Sequence, residues 1–293
     1  MDLLQLHYFR VVARTEHITK AAEELSIAQP SLSKTIRRLE NELGVSLFDR
    51  QGRSIQLNRF GKAFLEHIDT VFYALERGQR KVRDMAGLAY GEVSLVTASI
   101  YWLPDLLHRF HLLYPSVRFQ LSQCALSEMP QRLESGACDF CFLSVPLHKS
   151  GIQWRTLLTE EILLTVPPGH RLAKRETIPL REVAQEAMVI EKVGSGLRDL
   201  VDQFCQQAGF TPRVAYEIDE PAALYEFVKA QLAVAFVPAL MKKQVDEQSL
   251  LSLRLTDPIC QRTFGIAWHQ GHYLSEAART FQQFVLEYFA RLE

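Results

Sequence analysis

Residues 28–44, AQPSLSKTIRRLENELG, carry two kinds of group on opposite sides of one helical repeat. Leu32, Ile36, Leu39 and Leu43 recur at three- and four-residue spacing and make an apolar stripe. The other face opens on Gln29, Pro30, Ser31 and Ser33, which are small or flat polar groups, and turns basic at Lys34, Arg37 and Arg38. That set suits the major groove of DNA. A glutamine amide pairs in two-pronged fashion with an adenine edge, serine hydroxyls donate or accept, and a proline ring touches a thymine methyl. Small side chains let the helix start enter the groove, where its N–H groups and dipole favour phosphate. Lys34, Arg37 and Arg38 reach bases or backbone. Arg50 and Arg53 flank a following turn, with Arg53 able to enter the minor groove, and Lys62 suits a phosphate contact. The plainer alternative for each is a cap or a solvated face.

The charge distribution supports a polyanionic partner. The chain of 293 residues has a formal charge of −1. Residues 29–62 hold seven basic and three acidic groups, so this stretch carries +4 and the remainder −5. At 47% hydrophobic and 23% charged, the chain has ample core material for two domains. Five cysteines, an odd number with none in the first 120 residues, fit free thiols in a reducing compartment better than a disulfide framework. No long apolar run predicts a membrane span, and the N-terminus reads as a short helix rather than a signal peptide. A cytoplasmic location is expected.

Three short helices are needed to present the basic face. The first runs from about Leu3 to Arg14. The second is TKAAEEL, with Thr19 placed to cap it, and a three-residue turn joins it to the third. LFDRQGRSIQL alternates around Gln51-Gly52 and predicts a hairpin wing. A long helix follows over 58–87, capped by Asn58. Phe64, Ile68, Val71, Leu75, Val82 and Met85 make an a/d seam on it, which predicts a two-helix coiled coil. Packing on its own chain is the alternative, and Gly78 weakens the seam. Beyond residue 91, short β-rich runs alternate with helical segments. That pattern predicts α/β architecture with mostly parallel sheets, as one large sheet or two lobes.

The ordered set AAEEL, AQPSLS, LENELGVSLFDR and GRSIQL resembles the DNA-binding region of the LysR-type transcriptional regulators. YPSVRFQL, LESGACDF, LLTVPPGHRLA, QAGF and AVAFVP extend the likeness to the whole chain. The resemblance implies an all-α winged helix-turn-helix DNA-binding domain over 1–58 and a linker/dimerisation helix over 59–90. It implies a periplasmic-binding-protein-like effector domain over 91–293. Lobe I would be about 92–163 and 266–293, and lobe II about 164–265. It further implies Gln29, Pro30 and Ser33 facing bases, double-stranded promoter DNA as partner, a homodimer through the linker helix assembling to a homotetramer, and RNA polymerase at the promoter. Gln231 and Ala233 stand where the family often has glycines, which would reshape one side of the cleft.

The same resemblance points to loops 97–101, 127–128 and 194–198 as the effector site. The residues agree with an anion site at strand ends: Thr97 and Ser99 before one helix, Ser127 before another, Gly194, Ser195 and Gly196 before a third with Arg198 in its first turn. Ile100, Tyr101 and Glu128 complete the set. A small-molecule effector of unknown identity, a carboxylate by this chemistry, is expected, with no cofactor and no metal. Enzyme chemistry finds no support: VGSGL lacks the outer glycines of a nucleophile elbow, and no Walker or HExxH motif occurs. Cys138 and Cys141 make a CxxC, but on a strand an i,i+3 pair points to opposite faces. His108 with His111, and His269 with His272, are spaced for one helix face and lack further ligands. An effector-responsive regulator is the reading. An enzyme with a fused DNA-binding domain, and a regulator switched through Cys205 or Cys124, are the rivals.

Overall fold

The computed structural model describes residues 1–51, 54–86, 91–98, 102–242 and 250–291. The chain divides into two compact units, one comprising Met1–Arg80 and the other Lys81–Glu134 with Cys138–Glu293; Ser135–Ala137 group with the first.

In the first unit, helix α1 (Leu3–Thr15) starts on a capping box: Gln5 N donates to Asp2 Oδ1 at 2.9 Å and Asp2 N to Gln5 Oε1 at 3.1 Å. Helix α2 spans Ile18–Glu24 and α3 spans Gln29–Leu43. The cap of α2 is His17, whose Nδ1 accepts from Lys20 N at 3.3 Å, and not Thr19 as expected. The helix begins at Ile18, two residues earlier than a cap at Thr19 would place it, so Thr19 lies inside it. Gly44 ends α3 at φ 73°, a conformation open to glycine at no steric cost. Strands β1 (Phe48–Gln51) and β2 (Ser54–Leu57) pair antiparallel as the wing. Helix α4 runs Arg59–Met85, with Asn58 Oδ1 accepting from Phe60 N and Gly61 N at 2.9 and 3.0 Å. Leu32, Ile36 and Leu39 of α3 join Phe9, Val12, Ala21, Leu47 and Ile68 in one core.

The second unit contains strands β3 (Glu92–Thr97), β4 (Arg118–Gln123), β5 (Phe140–Leu143) and β6 (Ile152–Val166), with helices α5 (Leu103–Leu113) and α6 (Met129–Ser135) between them. Then come β7 (Thr177–Pro179), β8 (Met188–Glu191), α7 (Gly196–Gln207), β9 (Val214–Ile218), α8 (Ala223–Lys229) and β10 (Val234–Pro238). Helix α9 (Ala239–Lys242), β11 (Leu251–Thr256), β12 (Gln261–His269) and α10 (Glu276–Ala290) finish the chain. The strands hydrogen-bond in the order β4-β3-β5-β12-β6-β10-β8-β9, with β11 on β6 and β7 on β11.

Of the apolar cores on this sheet, two share the long strands β6 and β12. Leu157 and Leu158 of β6 and Phe264 and Ile266 of β12 join an aromatic-rich core with Trp102, Phe110, Phe142 and Phe281. Ile162, Leu164 and Val166 of β6 and Cys260 join a second, aliphatic core with Val201 and Phe236. The unit therefore has two lobes joined by β6 and β12. The pairing is mixed rather than mostly parallel: β3 is parallel to β4 and β5, β8 is parallel to β9 and β10, but β12 and β6 run antiparallel to each other and to their neighbours. The cause is the crossover. One strand must leave the first lobe and another must return. Strand β6 is long, beginning at Ile152, because residues 152–161 pair with β12 along their length.

Candidate nucleic-acid interface and effector cleft

Burial of Leu32, Ile36 and Leu39 fixes the roll of α3 and turns the opposite face outward. Gln29, Pro30, Ser33, Lys34, Arg37 and Arg38 line one open depression of about 830 Å³, with Asn41 and Glu42 at its far end. Ser31 is exposed on the same helix start. Gln29 Nε2 donates to Ser33 Oγ at 3.0 Å, so the amide lies along the helix and must release this bond to meet a base. Arg38 Nε contacts Glu42 at 3.1 Å, and Glu42 also takes the N-terminal ammonium, which holds its carboxyl below the usual range. Lys34 and Arg37 are exposed and, among the described residues, make no ion pair. They are uncompensated positive charges on the outer face.

Two acids that sequence reading left unassigned hold the wing. Glu40 Oε1 accepts from Leu47 N at 2.8 Å, and Glu16 Oε1 accepts from Leu57 N at 2.8 Å. Glu40 and Glu16 thus cap backbone, and Glu42 is the acid that pairs with the face, at Arg38. Gly61 lets α4 start close to the wing, since a Cβ there would lie 2.2 Å from Leu47 O. Lys62 is exposed one residue on. Arg53 and the side chain of Arg50 lie outside the described residues.

The predicted seam on α4 divides. Ile68 is buried in the core of its own unit and Phe64 packs against it, so these two follow the alternative of packing on their own chain. Val71, Leu75, Val82 and Met85 are exposed, Met85 at 79%.

In the second unit the predicted effector residues come from both lobes. Thr97 is buried at the end of β3, and Ser127 and Glu128 are exposed in the turn before α6. Ser99, Ile100 and Tyr101 lie outside the described residues. From the other lobe, Ser195 caps α7 by accepting from Arg198 N at 3.1 Å, after Gly194 at φ 93°. Gly196 meets the first lobe: a Cβ on it would lie 2.6 Å from Leu126 Cδ1 and 2.7 Å from Ser144 Oγ. Arg198 turns toward its own lobe, with Nε 2.8 Å from Asp202 and Nη1 3.4 Å from Glu217, and lines a separate depression beside Phe210 and Val214. Gln231 holds φ 59°, the left-handed conformation that the often-found glycine would take freely.

Three charged groups near the crossover were not expected. Arg262 Nη2 lies 2.7 Å from Glu160 Oε1, both nearly buried, and Glu160 Oε2 also accepts from Leu240 N at 2.7 Å. Glu191 ends β8. Burial pushes its carboxyl up, against the opposing effects of a Ser195 hydrogen bond and the Arg262 charge. A strand-end Glu before a GSG turn was the available signal.

The cysteine pair requires a correction. Cys138 and Cys141 do not point apart; their Sγ atoms are 3.6 Å from each other. Cys138 precedes β5, so strand alternation does not govern it. Cys205, buried in the second lobe, is pushed up to about 12 by burial. His108 and His111 are exposed on α5, whereas the rings of His269 and His272 lie tilted with centroids 4.0 Å apart at the end of β12 and not on a helix. Among the described residues no cluster of three His, Cys, Asp or Glu is arranged for a metal, and no helix is long and apolar enough to cross a membrane.

Residues 3–62 match the model of the bacterial regulatory helix-turn-helix protein, lysR family, and residues 91–290 match the LysR substrate binding domain. The HTH-type transcriptional regulator YybE of Bacillus subtilis (strain 168) is 40% identical over 293 residues, covering 99% of this chain and 100% of the relative. The transcriptional dual regulator GltC of the same organism is 32% identical, covering 100% and 99%. Full-length CbnR, solved in complex with its target DNA, shares the fold with a TM-score of 0.76 at 23% identity, covering 98% of this chain and 99% of that one. These families and relatives regulate transcription and are not enzymes. An α3 with a basic outer face, a wing beside it and a two-lobed α/β unit are thus the parts of a DNA-binding, effector-responsive regulator, and the chain belongs to the LysR family.

Proposed function

We propose that α3 reads promoter DNA through Gln29, Pro30, Ser31 and Ser33, while Lys34, Arg37, Arg38, Arg50, Arg53 and Lys62 hold bases or backbone. The carrying observation is the outer face of α3, where Gln29 and Ser33 adjoin the unneutralised Lys34 and Arg37. CbnR was crystallised on target DNA, which supports the same use of the fold here. The domain limits that go with this reading are 1–58, 59–90 and 91–293. The protein works in the cytoplasm, where promoter DNA and RNA polymerase are found.

The cleft takes a small carboxylate. Thr97, Ser127 and the α7 N-terminus with Gly194–Gly196 supply hydroxyls and a positive dipole end. Glu191, pushed toward its neutral form by burial, opposes such a ligand less than an ordinary carboxylate would. A ligand that binds one lobe arrangement better shifts the population toward it. The exposed Val71, Leu75, Val82 and Met85 pair α4 with a second copy, and two dimers make a tetramer that spans two DNA sites. One recognition helix reads few base pairs, so a twofold dimer on an inverted repeat supplies the length.

Thermal-shift screening of the full chain against small carboxylates tests the cleft. A ligand at 100 times its Kd adds about 2.7 kcal/mol. The hit must then alter the footprint on promoter DNA. A panel in which only non-acidic compounds stabilise the chain would reject the carboxylate.

A further inference from the structure

We propose that Cys138 and Cys141 are a reversible dithiol–disulfide pair, with Cys124 as the thiol at which a hydroperoxide first reacts. Three observations carry this. The two sulfurs are already in contact at 3.6 Å. The turn between them is held: Asp139 N donates to Ser94 O at 2.9 Å, and Asp139 Oδ2 accepts from Ser94 N at 2.8 Å. Cys124, partly exposed, packs on the same apolar cluster as the pair, with Met129, Leu133 and Leu143. A disulfide needs a sulfur separation of about 2.05 Å, so closure draws the atoms together by about 1.5 Å from contact.

The steps balance. The Cys124 thiol takes an oxygen from the hydroperoxide, giving a sulfenic acid and an alcohol, or water from hydrogen peroxide. The Cys138 thiol attacks the Cys124 sulfur, forming a disulfide and releasing water. The Cys141 thiol then displaces Cys124, which leaves as a thiol, and the Cys138–Cys141 bond remains. Each disulfide formed consumes one hydroperoxide and releases one alcohol and one water, or two waters when the oxidant is hydrogen peroxide. Burial raises the Cys124 thiol to about 11, which makes the first step slow and suits sustained rather than brief exposure.

The pair is placed to reach the cleft. It lies under α6, Cys141 Sγ being 3.8 Å from Met129 O. The turn that leads into α6 carries Leu126, which faces Gly196 of the other lobe. Movement of the sulfurs therefore acts on a lobe-to-lobe contact. This role is independent of any cleft ligand.

The full chain treated with hydrogen peroxide, then alkylated and digested with trypsin, supplies the test. Residues 133–149 form one tryptic peptide that holds both Cys138 and Cys141 and excludes Cys124. The expected result is that this peptide becomes two hydrogens lighter, resists alkylation and is restored by dithiothreitol. Cys124→Ser should slow its formation several-fold. A peptide still alkylated at both cysteines after prolonged treatment overturns the pair. A linkage that forms as fast in urea-unfolded protein does so too, since the fold would then contribute nothing. An unchanged rate in Cys124→Ser overturns the entry route. The wild-type measurement needs no core variant and stands even where Cys138→Ala fails to fold.

Discussion

Gly196, the first residue of α7, faces Leu126 of the opposite lobe so closely that a Cβ on it would fall 2.6 Å from Leu126 Cδ1. The glycine is there for approach between lobes, since its φ is not in the left-handed region. Gly196→Val should therefore hold the lobes apart while leaving the N-terminal unit untouched. The expected outcome is retained operator binding with the effector-induced thermal shift lost. A variant whose effector shift matches the parent would show that the contact does not matter to closure.

Gln29→Ala and Lys62→Ala should separate reading from holding. The first is expected to cost about 1–3 kcal/mol on the matched operator and to relax preference at one base position. The second should weaken matched and mismatched DNA alike and lower the salt slope by about 1. Titrations against single-base-changed operators at two salt concentrations measure both. Equal losses on all DNAs for Gln29→Ala would remove it from base reading.

Glu191 has its carboxyl raised above 4.5, chiefly by burial. The folded chain thus keeps this proton at pH values where the unfolded chain has lost it. The resulting stability is complete below the unfolded value and disappears as pH rises through the folded one. Glu191→Gln removes the dependence. Its Tm relative to the parent should rise as pH climbs above the ordinary carboxylate value of about 4.3; a difference that stays constant with pH would contradict the burial of the charge.

Arg262 and Glu160 form a nearly buried pair across the two strands that join the lobes. Arg262→Met leaves Glu160 without its cation and should cost about 3–5 kcal/mol by urea unfolding. Replacing both, Arg262→Met with Glu160→Leu, should recover part of it, less the loss of the Leu240 N–H partner. A single variant within about 0.5 kcal/mol of the parent would mean that water already serves the site.

Leu75→Asp places a charge on the exposed part of α4 without touching the core that holds Ile68. The expected result is a lower oligomeric state in sedimentation and loss of the affinity advantage of an inverted repeat over a single half-site. An unchanged assembly would place the interface elsewhere.

Much of the N-terminal unit was legible in the chain. Helical periodicity, Asn58, Pro30 and Gly44 are local signals, and a short domain with contacts close in sequence obeys them. The outward face of α3 followed from its apolar stripe alone. Local pattern is silent where a non-local partner decides: β6 extends from Ile152 because it pairs with β12, a hundred or more residues away. The cysteine pair was misread because strand alternation was applied to a turn.

The sequence by itself determined which residues are apolar, which helix can meet DNA and which family the chain resembles. Those properties reside in side-chain type and spacing. Only the tertiary structure decided that Glu16 and Glu40 serve the wing, that Arg198 answers Glu217 rather than the cleft, and that Gly196 closes on Leu126. Each depends on which distant groups share a small volume, and burial and ion pairing are properties of that neighbourhood, not of the residue.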